Sequence, residues 1–304
     1  MEIGYWKLVI IMNNLLENLN KEQLKAVLYK TGPLLIVAGA GTGKTTVIAQ
    51  RLAYLIEQGL AGAEEILALT FTEKAAAEMA DRAGALLPLG YFDLWIMTFH
   101  GLGERLLKEH GLASGLSTDF KLLNEFEQWA LIRKNFDKFE LDYYRPLGNP
   151  TKFIRALLKH FSRAKDEDIG PRQYLEYAEE LQENFDEKLS GAKVKRRGNF
   201  QFPISNFQTN SKYKIQNTGI DQQEASRIKE VANAYQVYQQ LLLDNNCLDF
   251  GDLINYTLKL LRERPAILEK YRRQFKYILV DEFQDTNWAQ DELVKLLAAP
   301  VNNL

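Results

Sequence analysis

One cysteine, Cys247, and three scattered histidines are all that 304 residues offer to thiol or zinc chemistry. A lone cysteine excludes an internal disulfide framework and fits a reducing compartment, and so thin a ligand supply argues against a zinc site. Long apolar runs are also missing. The N-terminal stretch MEIGYWKLVIIMNN is too short to span a bilayer. It lacks the basic n-region, long apolar core and small-residue cleavage site of a signal peptide. Met12 is an alternative start, with residues 1–11 as an extension. These absences place the protein in the cytoplasm, with no membrane partner. Charge bias is absent too: 38 basic against 40 acidic residues give a net charge of −2. That balance leaves nucleic acid open as a partner, because a local basic groove suffices to bind it.

The length allows two domains, and 46% hydrophobic content supports sizeable cores. The most informative stretch is Leu34–Thr45, LLIVAGAGTGKT. Five apolar residues suited to a buried strand run into a turn punctuated by Gly39, Gly41 and Gly43. A helical pattern then opens at Lys44, with Val47, Ile48, Leu52, Leu55 and Ile56 on one face. Strand, glycine loop and helix N-terminus together form the setting of a Walker A phosphate loop. Backbone N–H groups of Ala38, Gly39, Ala40, Gly41, Thr42 and Gly43 and the helix start supply positive potential for phosphate oxygens. Lys44 is placed to reach the β- and γ-phosphates, and the Thr45 hydroxyl to ligate Mg²⁺. The first motif position holds Ala38 rather than glycine.

Four continuous apolar runs, Leu34–Ala38, Ile66–Leu69, Leu94–Met97 and Tyr277–Val280, read as parallel strands buried on both faces. Helical patterns follow the first three, the alternation of an α/β fold. The second strand leads into Thr70-Phe71-Thr72-Glu73-Lys74 and the third into Thr98-Phe99-His100. Both loops leave carboxyl ends of strands, where ligands of open α/β sheets bind. For Phe71 or Phe99 alone, core packing is the preferred reading. From 111 to 245 strand patterns stop, and helices are expected at 124–138, 150–166, 171–189 and 222–245. This is a helical subdomain inserted into a discontinuous α/β domain (1–110 and 246–304). Within it, 191–214 mixes six basic residues and four aromatics without an acid. Such a mixture suits single-stranded nucleic acid. Without periodicity, the preferred reading is a flexible basic loop extending over 191–220.

The run Tyr277–Val280 ends in Asp281-Glu282, a Walker B arrangement. Asp281 at the strand end is suited to holding Mg²⁺, and Glu282 to orienting and deprotonating an attacking water. Asp285 lies in the N-cap region of the following helix. The wide separation of Lys44 from Asp281, filled by the insertion, points to a machine coupling hydrolysis to a large partner.

These motifs, in order, resemble those of the UvrD/Rep/PcrA group of superfamily 1 DNA helicases. Leu19–Gln23 is similar to the Q motif, Ala38–Thr45 to motif I, Thr70–Ala76 to motif Ia and Thr98–His100 to motif Ib. Leu248–Leu253 is similar to the segment at the return from subdomain 1B to 1A, and Asp281–Asp285 to motif II. Alanine at the first position of motif I is usual in that family. The resemblance implies a RecA-like P-loop NTPase sheet, domain 1A, with the helical insertion as 1B. It implies ATP-driven translocation on single-stranded DNA with 3′-to-5′ polarity, using ATP and Mg²⁺, on single-stranded or 3′-tailed duplex DNA. It makes Gln23 an adenine reader and adds Gln284 to Lys44, Asp281 and Glu282 in the catalytic set. It turns Phe71, Thr72, Thr98, Phe99 and His100 toward DNA. Glu73 stands where asparagine is frequent, and Thr46 where arginine is frequent.

After motif II the family continues into motif III and a second RecA-like domain, whose arginines act on the γ-phosphate. The sequence stops at Leu304, so weak or absent stand-alone ATPase and no unwinding are expected. Such arginines are worth roughly 10³–10⁵ in rate in other NTPases. The alternatives are the motor of a RecB- or AddA-type helicase–nuclease, and a nucleotide- or DNA-binding module without turnover.

Overall fold

The computed structural model describes residues 16, 19–39, 41–87, 94–190 and 222–304, with backbone only for 184–190. Ala40, the tract 191–214 with the loop reading of 191–220, and the starts at Met1 and Met12 lie outside the described residues.

The chain divides into two compact units. The first comprises Met1–Leu122, Lys165–Asp168 and Leu248–Leu304. Among the described residues its sheet has three strands, β1 (Ile66–Thr70), β2 (Trp95–Thr98) and β3 (Tyr277–Val280), in the order β2-β1-β3. All pairings are parallel: Leu67 lies opposite Trp95, and Ile66 opposite Tyr277. Every residue of β1 is buried, as continuous hydrophobicity in ILALT predicts for a strand covered on both faces.

Alternation along β1 divides its contacts between two cores. Ile66 and Ala68 pack with Ile48, Leu52 and Leu55 of α2 (Lys44–Glu57) and with Met79 and Ala83 of α3 (Glu73–Leu86). Leu67 and Leu69 face Leu102 and Leu106 of α4 (Phe99–His110) and Ile254 and Leu258 of α9 (Phe250–Glu263). Leu293, Val294 and Leu297 of α11 (Trp288–Ala298) belong to the same core. Helices α1 (Lys21–Val27) and α10 (Pro265–Gln274) complete this unit. With no accessible surface at Leu67 or Leu69, truncating either to alanine leaves a cavity costing about 2–5 kcal/mol.

The second unit comprises Leu123–Ala164 and Ile169–Cys247. It contains α5 (Glu125–Lys134), α7 (Pro171–Ser190), α8 (Gln222–Asp244) and all of α6 (Ile154–Asp166) except its last two residues. Its core is aromatic. Phe161 stacks on Tyr235 at 4.9 Å between ring centroids and on Tyr238 at 5.3 Å. Ile132, Phe136, Phe139 and Leu157 fill the space around them. The sequence placed the insertion at 111–245. In the fold, 111–122 belongs to the α/β unit, and 165–168 returns to it.

The expected first strand, Leu34–Ala38, requires correction. The segment has no strand ladder, and Leu35 and Val37 are 75% and 88% exposed. A ladder needs a backbone partner along its length, and here the Leu34 N–H donates to Leu304 O at 2.8 Å. The neighbouring Asn303 O accepts from Ile278 N–H at 2.9 Å, so these two residues bridge Leu34 to β3. The apolar pattern alone could not reveal how little of it is covered.

Candidate functional site

Gly43 is the N-cap of α2 with φ +85°, and Gly41 has φ +76°. Both conformations are open to glycine and strained for other residues. A side chain at 43 would also come within 3.2 Å of Gln23 Nε2. Thr42 Oγ1 donates to Gly39 O at 2.7 Å and tightens the loop. The turn ends at Lys44 and Thr45, side by side in the first turn of α2.

These two side chains meet the two acids of the β3 end. Thr45 Oγ1 donates to Asp281 Oδ2 at 3.0 Å. Lys44 Nζ lies 3.3 Å from Glu282 Oε2 and donates to Ala38 O at 3.4 Å. Asp281 is buried, its N–H donates to Leu69 O, and its Oδ1 accepts the Glu282 N–H. Glu282 has φ 49° and ψ 44°, a left-handed conformation rare outside glycine. Gln284 Nε2 donates to Glu282 Oε2 at 2.5 Å. Hydrogen bonds from Gln284 and Lys44 hold the Glu282 carboxyl below the usual carboxylate range. Asp285 is not the cap of α11. Asn287 caps it, accepting from Gln290 N–H at 2.9 Å.

Gln23 sits in the first turn of α1, in a capping box with Asn20, and its amide donates to Thr42 O at 3.0 Å. It therefore touches the glycine loop, while its Oε1 accepts the Asn20 N–H. Arg51 of α2 secures this arrangement. Its buried guanidinium donates to Ala26 O, Val27 O and Tyr29 O, carbonyls at and just past the end of α1. Thr46 Oγ1 accepts from Arg82 Nη1 at 3.2 Å. A guanidinium thus reaches the loop edge from α3. Nothing in the phosphate-loop motif pointed to Arg82 or Arg51; only the folded chain brings them there.

The β1 and β2 loops are built as helix caps. Thr72 caps α3 by accepting from Ala75 N–H, and Thr98 caps α4 by accepting from Gly101 N–H. Thr98 Oγ1 donates to Glu73 Oε1 at 2.8 Å, tying the two loops together. Phe99 is 1% exposed and belongs to the core, so its ring presents no face to a ligand. The Thr98 side chain is likewise buried, its hydroxyl engaged by the helix cap and by Glu73. Phe71 is half-buried with its ring 5.5 Å from Phe99, and Thr72 is exposed. His100 is half-buried, and burial lowers its pKa against the opposing charge of Glu73. Phe250, 47% exposed, stands edge-on to His100 at 5.5 Å. Phe250, the first residue of α9 after the capping Asp249, lies within the Leu248–Leu253 segment read from the sequence, which gave it no role of its own.

The fold therefore brings Lys44, Thr45, Asp281, Glu282, Gln284 and Gln23 around one glycine loop, with Phe71, Thr72, His100 and Phe250 on the loops and helices alongside. Thr45 Oγ1 and Asp281 Oδ2 form an adjacent pair of hard oxygen donors, which fits Mg²⁺. Among the described residues there is no group of three or more histidine, cysteine or acidic side chains placed to hold a metal ion. No helix among the described residues is long and apolar enough to cross a membrane.

Comparison with known proteins assigns this geometry a lineage. Residues 19–304 match the family model described as UvrD/REP helicase N-terminal domain. The protein named ATP-dependent DNA helicase PcrA from Bacillus subtilis is 36% identical over 97% of this chain and 33% of its own length. A probable DNA helicase II homolog of Rickettsia felis is 34% identical over 97% of the chain and 38% of its own. ATP-dependent DNA helicase UvrD1 of Mycobacterium bovis is 34% identical over 96% and 32%. The chain spans about a third of the length of the curated relatives it matches.

Proposed function

The chain belongs to the UvrD/REP helicase N-terminal family, and from that premise we propose that it is the ATP-binding part of a RecA-like DNA helicase motor. In the complete protein this motor moves 3′-to-5′ on single-stranded DNA and opens duplex. The observation that carries the reading is the double contact of Lys44 with Glu282 and Thr45 with Asp281, which joins the phosphate loop to the acidic strand end.

The loop N–H groups and Lys44 bind the phosphates of ATP, and Gln23 and Arg82 flank the nucleoside end. Thr45 and Asp281 hold Mg²⁺, which when bound offsets charge on the β- and γ-phosphate oxygens. Without nucleotide, Lys44 rests on Glu282. An arriving γ-phosphate competes for that ammonium, and the freed Glu282 carboxylate can take a proton from water while Gln284 orients it. Losing Lys44 as a partner also moves the Glu282 carboxyl up toward its ordinary range, which makes it a better base. Phe71, Thr72, His100 and Phe250 supply the DNA-facing side, with ring faces suited to stacking on bases.

The test is nucleotide binding and hydrolysis by the 304-residue chain and by Lys44→Ala, with and without single-stranded DNA. Nucleotide affinity is expected to fall at least about tenfold in the variant, since charge-assisted contacts to phosphate are worth about 1.5–3 kcal/mol each. Turnover by the chain itself is expected to be weak and little stimulated by DNA. Unchanged affinity in Lys44→Ala would remove the phosphate-loop reading. Nucleotide binding with no turnover in the full-length protein would favour a binding module instead. No observation favours the helicase–nuclease alternative.

A further inference from the structure

We propose that Asp166 is a positioning residue for the acidic pair Asp281–Glu282, acting through Asn287. The proposal rests on the nucleotide-site reading above.

The last turn of α6 is fixed from several sides. Lys165 is 2% exposed, with its ammonium 2.6 Å from Asp249 Oδ2 and 2.9 Å from Asp252 Oδ1. Its aliphatic stem lies directly on Gly251, where an added Cβ would stand 2.7 Å from Lys165 Cδ. Asn255 Nδ2 donates to Lys165 O at 2.9 Å. Asp168, left-handed at φ 58°, pairs with Arg262 at 2.6 Å. Residues 165–168 are thus fastened to α9 at four points.

Asp166 projects from this anchor. A carboxylate at a helix C-terminus is disfavoured by the helix dipole. It needs a donor, and Asn287 Nδ2 donates to Asp166 Oδ1 at 2.7 Å. Asn287 uses both ends of its amide: the oxygen caps α11, and the nitrogen reaches Asp166. The segment 281–287 has one fixed end where Asp281 N–H meets Leu69 O, and the other at Asn287. Between them lie the left-handed Glu282, the exposed Phe283 and Gln284, and Thr286, whose hydroxyl donates to Phe283 O. Lys44 and Thr45 hold the first residues of this turn from the glycine-loop side, and Asn287 fixes its far end.

Asp and Asn cap helices about equally well. Asn287→Asp therefore keeps the cap of α11 while placing a carboxylate against Asp166. Asp166→Ala removes the acceptor, and Asp166→Asn with Asn287→Asp restores one hydrogen bond with its direction reversed. The measurement is the affinity of a fluorescent ADP in excess Mg²⁺ and in chelator, alongside thermal melting. Both single variants are expected to lower the Mg²⁺-dependent gain in affinity by about tenfold, the low end of what outer partners of a metal site are worth. Metal-free affinity is expected to stay unchanged, and the double variant to recover the gain. A purely structural contact would lower the melting temperature and leave the gain intact. That result, or a folded double variant that fails to recover the gain, overturns the proposal. Wild-type affinity indifferent both to Mg²⁺ and to Lys44→Ala would instead remove the nucleotide site itself, and the proposal with it.

Discussion

Glu282 holds a backbone conformation that costs a non-glycine residue about 1 kcal/mol or more. Its carbonyl accepts from Asp285 N–H, its N–H donates to Asp281, and its carboxylate is gripped by Lys44 and Gln284. That local conflict, supported from every side, marks the catalytic turn more clearly than the acid pair does in sequence. In the helical unit, His160 presents a different residue-scale effect. Burial, with Arg163 nearby, lowers its pKa from 6.5 to about 4, and its Nε2 lies 2.7 Å from Tyr174 OH. As pH falls through 6.5 the unfolded chain takes up a proton that the folded chain refuses until about pH 4. Stability is therefore full above pH 6.5 and is lost progressively between 6.5 and 4, on the order of 3 kcal/mol. Hydrogen exchange at α6 and α8 amides, corrected for intrinsic rates, should register this loss. His160→Gln should flatten it.

At the scale of elements, the helices were legible because their signals are local. Asn20, Thr72, Asn124 and Asp249 cap helices as side chains of that chemistry do, whereas the last helix is capped by Asn287 and not at Asp285, where the sequence pattern places it. Strand Ile66–Thr70 was legible for the same reason, five apolar residues in a row. Leu34–Ala38 carried the same signal and forms no ladder, because pairing depends on a partner far along the chain. Simple hydrophobicity put Phe99 in the core, where it lies. The Lys165–Asp249–Asp252 cluster had no sequence signal, since its members meet only after folding. Burial and Asp249 push the Asp252 carboxyl up to about 6, and two carboxylates sharing one ammonium explain that direction. Replacing Lys165 with Met strands both acids without a counter-charge, at a cost of about 3–5 kcal/mol in urea unfolding. Adding Asp249→Asn and Asp252→Asn should recover most of that loss, because the buried charges are then gone together.

The whole molecule is two units threaded by one chain that crosses between them four times, with the α/β unit assembled from three separate stretches. In the sequence, strand signals stop and later resume, which reads as an insertion; the short return at 165–168 carries no such signal. The threading also sets an order of events in time. Ile66 must wait for Tyr277 before β1 has neighbours on both sides. At ordinary synthesis rates that wait lasts on the order of ten seconds or more. All of Leu123–Cys247 emerges in the interval, so the helical unit can close its aromatic core before the sheet has its third strand. In refolding, pulsed hydrogen exchange should protect Tyr235 and Tyr238 amides before those of Leu67 and Leu69. A polypeptide leaving the ribosome would thus complete its inserted part before its oldest part, with the central strand holding one edge open until Tyr277–Val280 arrive.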